Sequence, residues 1–212
     1  DGIFTTDPRV YDKARLLKEV SFEEMLELSS SGAKVLQLRA VEYASKFNLP
    51  IRVLSSFNEG EGTLVQEEKN IMERPIVSGI SSIDSEAKLT IRGVPDIPGV
   101  AAKILSPISE AGIEVDVIVQ NIGADNTTDF TFTVNKDDTK QAEEILKKTS
   151  TTLGGGLIDV DDDIAKISIV GRGMRAHAGV ASKMFQALAK SEINISMITT
   201  SEIKISVVIK RS

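Results

Sequence analysis

The sequence predicts an α+β fold in which a piece of an α/β sheet precedes two copies of a strand–helix–strand–strand–helix–strand unit. Three observations predict it. Segments recur at a near-constant offset: Lys88-Leu-Thr-Ile-Arg-Gly93 returns 78 residues later as Lys166-Ile-Ser-Ile-Val-Gly171, and Gly99-Val-Ala-Ala-Lys-Ile104 returns 80 residues later as Gly179-Val-Ala-Ser-Lys-Met184. Within each copy, apolar residues alternate, then fall at helical spacing, then alternate again. Residues 1–65 share neither the repeat nor its pattern.

In that first stretch, Glu19 to Leu28 and Ser31 to Phe47 read as helices, the second with Val41, Ala44 and Phe47 on one face. Gly32 is expected to relieve a tight helix junction, and Ile51 to Leu54 to form a buried strand. Helices feeding a short apolar strand imply part of an α/β sheet. Gln66 to Arg74 is polar and charged, within a linker expected over 66–80.

The first copy is expected over 81–160. Lys88 to Arg92 alternates, with Leu89 and Ile91 on one face. Asp96-Ile-Pro98 reads as a capping residue with proline in the first helical turn. Val100, Ile104, Ile108 and Ala111 then share a face, Pro107 bends the helix, and Gly112 ends it. Ile113 to Val119 is β-branched and reads as a strand. After a loop at Gly123 to Asn126, Phe130, Phe132 and Val134 point inward and Thr131 and Thr133 outward. Thr139 to Lys148 is an amphipathic helix burying Ala142, Ile145 and Leu146, and Leu157 to Val160 is an edge strand. A four-stranded antiparallel sheet with both helices on one face fits this order. The second copy, 161–212, has its first strand, helix and next two strands, the last at Ile203 to Ile209. It then stops, which implies truncation before its second helix and final strand.

Composition narrows the function. The chain has 212 residues, 41% of them apolar and 26% charged, with a net charge of −6. An acidic chain with 4% aromatic residues and no Trp lacks the basic surface and stacking rings of a nucleic-acid binder. No apolar run is long enough for a membrane helix, and no signal peptide is recognisable, so a cytoplasmic location is expected. Without cysteine there are no disulfides or thiolate sites, and the single His177 cannot build a multi-histidine metal centre. Asp159 and Asp161 to Asp163 lack the glycine and distal glutamate of a calcium loop. Gly154-Gly-Gly156 opens no helix and is read as a connector rather than a phosphate loop.

Asp1-Gly-Ile-Phe-Thr-Thr-Asp-Pro-Arg9, Ser21-Phe-Glu-Glu-Met25, Ser31-Gly-Ala-Lys-Val-Leu36 and Pro50-Ile-Arg-Val-Leu-Ser-Ser56 resemble the C-terminal end of the aspartate kinase catalytic domain. Ala87 to Gly93, Pro98 to Ala101, Ile118 to Asn121 and Ser201 to Ile203 resemble its two regulatory ACT domains, which have a ferredoxin-like βαββαβ fold. The resemblance spans the chain in order. It implies transfer of the ATP γ-phosphate, with magnesium, to the β-carboxylate of L-aspartate. It also implies feedback inhibition by threonine and/or lysine at the ACT pair, at the head of lysine, threonine and methionine synthesis. The family's catalytic lysine, glycine-rich segment and Thr-Asp pair lie upstream of Asp1, so no catalytic residue is expected here. The chain is expected to be an inactive regulatory fragment, or a separate regulatory subunit that joins a kinase catalytic subunit. A stand-alone ACT sensor is the alternative. Dimerisation through the ACT domains would cover open sheet edges.

The resemblance also implies site residues. Phe4, Thr5, Thr6, Asp7, Pro8, Arg9, Lys34 and Val35 match the nucleotide contacts. Phe4 stands where many relatives have tyrosine. From its own chemistry, Asp96-Ile97-Pro98-Gly99-Val100-Ala101 could seat a free amino acid. The helix start offers amides for the α-carboxylate, Asp96 can take the ammonium, and Gln120 and Asn121 can add amide contacts. The family's packing would bring Asn194 and Ile195 to the same site. A second, lysine-type pocket would join Asp116 to Ala181, Ser201 and Glu202, with Ala181 replacing a threonine of some relatives. Arg172, Arg175 and His177 give the second repeat's cap the opposite charge to Asp96, and His177 is expected at the surface or an interface.

Overall fold

The computed structural model describes residues 2–68, 76–123, 126–177 and 179–211. The chain forms two compact units, one of Asp1–Ile83 with Lys166–Ile209 and one of Asp84–Ala165 with Lys210–Ser212.

The chain begins with β1 (Glu19–Ser21), α1 (Phe22–Ser30), α2 (Leu38–Lys46), β2 (Ile51–Val53), β3 (Thr63–Gln66) and β4 (Gly79–Ile83). The helix expected from Glu19 starts three residues later. Ser21 caps α1 through a reciprocal pair with Glu24, and residues 19–21 instead pair parallel with β3. The second helix is also shorter than expected, because residues 31–37 form turns rather than helix. Gly32 faces β4: a Cβ there would lie 2.6 Å from the Ser82 carbonyl oxygen, and its φ is +102°. The strand expected at 51–54 is present but only half-buried, paired antiparallel to β3. β3, which ends at Gln66, thus lies at the centre of a sheet ordered β1-β3-β2, where a linker was expected to begin. Ile3, Val20, Phe22, Met25, Leu28, Val41, Ala44, Val65 and Val170 close the core beside it. Most of the expected polar connector, residues 69–74, lies outside the described residues.

The next segment comprises β5 (Glu86–Pro95), α3 (Val100–Glu110), β6 (Val115–Ile122), β7 (Thr127–Asn135), α4 (Thr139–Thr152) and β8 (Leu157–Asp161). These strands form one antiparallel sheet ordered β6-β7-β5-β8, as the first copy predicts. Leu89, Ile91, Val100, Ile104, Ile108, Phe130, Phe132, Val134, Ala142 and Leu146 form its core. Helix α3 runs through Pro107. Thr133, expected to face outward, is fully buried. Its hydroxyl accepts the Val117 amide where β6 slips register between Val115 and Ile118. Ala124 and Asp125 of the expected loop lie outside the described residues.

The second copy supplies β9 (Ile164–Val170), a 3₁₀ turn (Arg172–Ala176), α5 (Val180–Lys190), β10 (Ile195–Thr200) and β11 (Lys204–Lys210). Its sheet is ordered β10-β11-β9-β4. The fourth strand expected to be missing is therefore filled from upstream, by residues assigned in sequence to the linker and the first copy. β4 pairs antiparallel with β9, Gly79 opposite Val170 through Ile83 opposite Lys166. An edge position asks only for backbone pairing along one side, so a five-residue strand of remote origin can occupy it.

Candidate functional site

The start of α3 is built by a turn. The Val100 amide bonds the Ile97 carbonyl at 3.2 Å, and Gly99 has φ 90° and ψ 0°. These are the features of a type II turn with proline at its second position and glycine at its third, where positive φ is required. The helix begins at Val100, so Pro98 lies outside it and Gly99, not Asp96, is the cap residue. No side chain caps the helix. Beyond the Val100 amide, which closes the turn, the amides of the first helical turn face outward at the positive end of the helix dipole.

Asp96 is exposed, and its amide bonds the Asn126 carbonyl at 2.9 Å. Among the described residues its carboxylate makes no hydrogen bond or ion pair. The approach to this turn is pinned by Asp129, whose carboxylate accepts the Gly93 amide at 2.9 Å and lies 3.7 Å from the Arg92 guanidinium. Here β5 shifts register between Ile91 and Val94, with Gly93 at φ 66°.

β5 and β6 both run antiparallel to β7, hence parallel to each other. The end of β6 carrying Gln120 and Asn121 therefore lies at the same end of the sheet as the turn that starts α3. Gln120 is opposite Phe130 and so faces the helix side. Asn121, opposite Asp129, faces the other. The two amides expected to act together are split between the faces, and Gln120 is the one directed toward the α3 side. Ala101 is half-buried in the first turn of α3.

Ile195 opens β10, with Asn194 just before it, and both belong to the other compact unit. Ala181 lies in the first turn of α5, whose cap, Gly179, repeats the conformation of Gly99 (φ 89°, ψ 3°). The Ser201 hydroxyl accepts the Lys204 amide at 3.1 Å and so shapes the turn bearing Glu202. Asp116 is on β6, exposed, in the unit that does not contain Ser201 and Glu202.

The nucleotide-type residues gather near the chain start. Phe4 bridges to Leu16, and the Thr5 amide bonds the Arg15 carbonyl at 2.9 Å. Thr6 is half-buried and Pro8 exposed. Arg9 folds back on Asp7, which accepts its amide at 2.9 Å, its Nε at 3.0 Å and its Nη2 at 2.7 Å. These bonds hold the Asp7 carboxyl down at about 2, with a smaller contribution from the Lys34 charge. Lys34 and Val35 are exposed.

Sequence reasoning missed a dense ionic cluster. The buried Glu24 carboxylate accepts from the Ser21 hydroxyl at 2.9 Å, the Ser78 hydroxyl at 2.6 Å and the Arg172 amide at 3.1 Å. Arg172 pairs with Glu23 and, at 2.5 Å, with Glu68. Arg175 contacts Glu23 at 2.9 Å and Glu202 at 2.7 Å, and Lys204 contacts Glu27 at 2.7 Å. His177 is exposed, and its Nδ1 lies 2.7 Å from the Gly173 carbonyl oxygen, to which it donates. The Ser21-x-x-Glu24 spacing could have signalled the cap. Nothing in the sequence paired Glu23 with residues about 150 positions away.

The amino acid kinase family matches residues 1–55, and ACT domains match residues 89–150 and 167–212. An aspartokinase of Pseudomonas aeruginosa is 63% identical over 212 residues, covering 99% of this chain and 52% of that protein. The chain thus spans about half the length of the curated relatives it matches. A solved structure of aspartokinase alpha and beta subunits is 51% identical, with a TM-score of 0.60, covering 64% of this chain and 88% of that one. The aspartate kinase of Clostridium acetobutylicum superposes with a TM-score of 0.87 over 99% of this chain and 49% of its own, at 23% identity, a likeness of fold.

Proposed function

Because the chain belongs to the aspartate kinase family, we propose that it is the amino-acid-sensing portion of such an enzyme. In this reading it binds threonine and/or lysine and so restrains ATP-dependent phosphorylation of L-aspartate. The observation that carries it is the start of α3: an uncapped helix N-terminus, set by the Ile97–Val100 turn, with the uncommitted Asp96 carboxylate three residues before the cap. An amino acid presents both charges on one carbon. The helix amides suit its carboxylate and Asp96 suits its ammonium. Gln120 adds an amide at the same end of the sheet, and Asn194 and Ile195 would complete the pocket when the repeats pair within a dimer. The second pocket would use Asp116, Ala181, Ser201 and Glu202 for a lysine side chain. A ligand that favours one dimer arrangement over another changes the equilibrium between them, which is the route to inhibition.

The magnesium complex of ATP supplies the phosphoryl group in the parent reaction. In this chain the cations suited to its phosphate oxygens are Arg9, once released from Asp7, and Lys34. With about half of the family's length, the chain is expected to show no aspartate-dependent ATP turnover alone. Its 51% identity over 88% of a subunit structure favours a second arrangement, assembly with a separate catalytic subunit.

Calorimetric titration with threonine, lysine and both together tests the reading. Saturable heat with at least one, lost in Asp96→Asn, is expected. Absence of heat and of thermal shift with either amino acid would refute the sensing role.

A further inference from the structure

We propose that Arg175 is an internal competitor for the cation-binding carboxylate Glu202, and that the competition links ligand binding to helix α1. The inference rests on the proposed lysine-type pocket and names its regulation. One guanidinium nitrogen, Nη2 of Arg175, lies 2.7 Å from Glu202 Oε2 and 2.9 Å from Glu23 Oε1. The two carboxylates stand on different elements: Glu202 on the turn between β10 and β11, Glu23 on the first turn of α1. One nitrogen therefore divides its attraction between the pocket and the helix.

The surroundings fix the root of this arm and leave its tip free to choose. Arg172, three residues earlier in the same 3₁₀ turn, is anchored from three directions. Its amide bonds the buried Glu24, and its guanidinium holds Glu23 and Glu68. Its side chain retains only 18% of its exposure, whereas Arg175 retains 38% and Glu202 77%. Glu202 is thus the partner that a dissolved cation can reach. Glu23, already held by Arg172, is the partner that remains with the helix. A primary ammonium is compact and strongly hydrated, and it can take Glu202 while the guanidinium completes a closer pairing with Glu23. Ligand charge at the pocket is thereby converted into tighter tethering of α1, the helix of the kinase-like segment.

The contrast with the first copy supports this division of labour. There the corresponding stretch carries Asp96 and ends in an open helix cap. Here it carries two arginines that both pair with Glu23 of α1, one of them shared with Glu202. Neither helix start is capped by a side chain, and the second copy adds the coupling through the turn that precedes its helix.

The test titrates L-lysine, with norleucine as the uncharged control, into the full chain and its Arg175→Ala, Arg175→Lys and Glu202→Gln variants. Exposed ion pairs of this kind are worth a modest factor, so Arg175→Ala should tighten lysine binding about two- to fivefold. Arg175→Lys should stay near wild type, and Glu202→Gln should weaken lysine. None should change norleucine. If Glu202→Gln weakens lysine while Arg175→Ala leaves it unchanged or weaker, the pocket stands and the competition is refuted. If lysine gives no heat with the wild type, the pocket reading itself fails. The coupling is then judged without ligand. Glu202→Gln should shift the Arg175 Nε–H resonance and slow amide exchange in α1 at Met25 to Leu28, and no change in either overturns the proposal.

Discussion

At the residue scale, Asp7 and Arg9 show how a short motif commits its own charges. Three donors of Arg9 converge on one carboxylate, so the ionised form is favoured and the carboxyl is pulled from 3.8 to about 2. The folded value lies below the unfolded one. The pairing therefore favours the folded chain above pH 3.8, and the contribution fades as the pH falls toward 2. A carboxyl-carbon NMR titration should place Asp7 near 2, and Arg9→Ala should return it toward 3.8. A midpoint already near 3.8 in the unsubstituted chain would mean the fork is not formed in solution. The family resemblance marked Asp7, Pro8 and Arg9 only as nucleotide contacts. It could not show that, without ligand, the arginine satisfies itself on the neighbouring carboxylate.

At the element scale, two glycines with positive φ separate backbone strain from steric exclusion. Gly99 (φ +90°) would direct a Cβ into open space, so Gly99→Ala carries only the conformational penalty, about 1–2 kcal/mol. Gly32 (φ +102°) would drive a Cβ to 2.6 Å from a backbone oxygen of β4, so Gly32→Ala should cost about 3 kcal/mol or more. Denaturant melts of the two variants check the order, and equal losses would contradict it. The elements of the first copy were legible because its alternating and helical patterns are long and flanked by Gly112 and Pro98. Even there, the Pro98-Gly99 pair read as the first turn of a helix, when it forms the turn before one. β1, β3 and β4 were not legible. Each has five residues or fewer, and pairing with distant partners, not periodicity, makes them strands. A helix start in this stretch could be anticipated from spacing, though with Asp96 rather than Gly99 as its cap, whereas the Arg172–Arg175 cluster depends on contacts that only the fold creates.

At the scale of the whole molecule, the repeat predicted two sheets but not where the second finds its fourth strand. The Ile80 amide turns to the Thr5 carbonyl at 2.7 Å, so by strand alternation the amides on either side, including that of Ser81, face β9. Ser81→Pro should therefore remove a ladder bond from the middle of β4 and cost about 2–3 kcal/mol. Hydrogen exchange should show faster exchange in β9 and β11 and unchanged protection in β5 and β7. Uniform loss of protection in both sheets would show that the two units unfold as one. The position of β4 also sets an order of assembly. Roughly 80 residues of chain separate this strand from its partner, and closing so long a loop of unfolded chain costs about 2.5 kcal/mol more than closing one of five residues. In the intervening segment, Lys88 lies opposite Asp161, so once that segment has folded its entry and exit are neighbours. During synthesis, β4 emerges first and waits unpaired until the segment behind it has collapsed and delivered β9. The earliest-made strand of the second sheet thus stays an open edge until the whole first copy has been made.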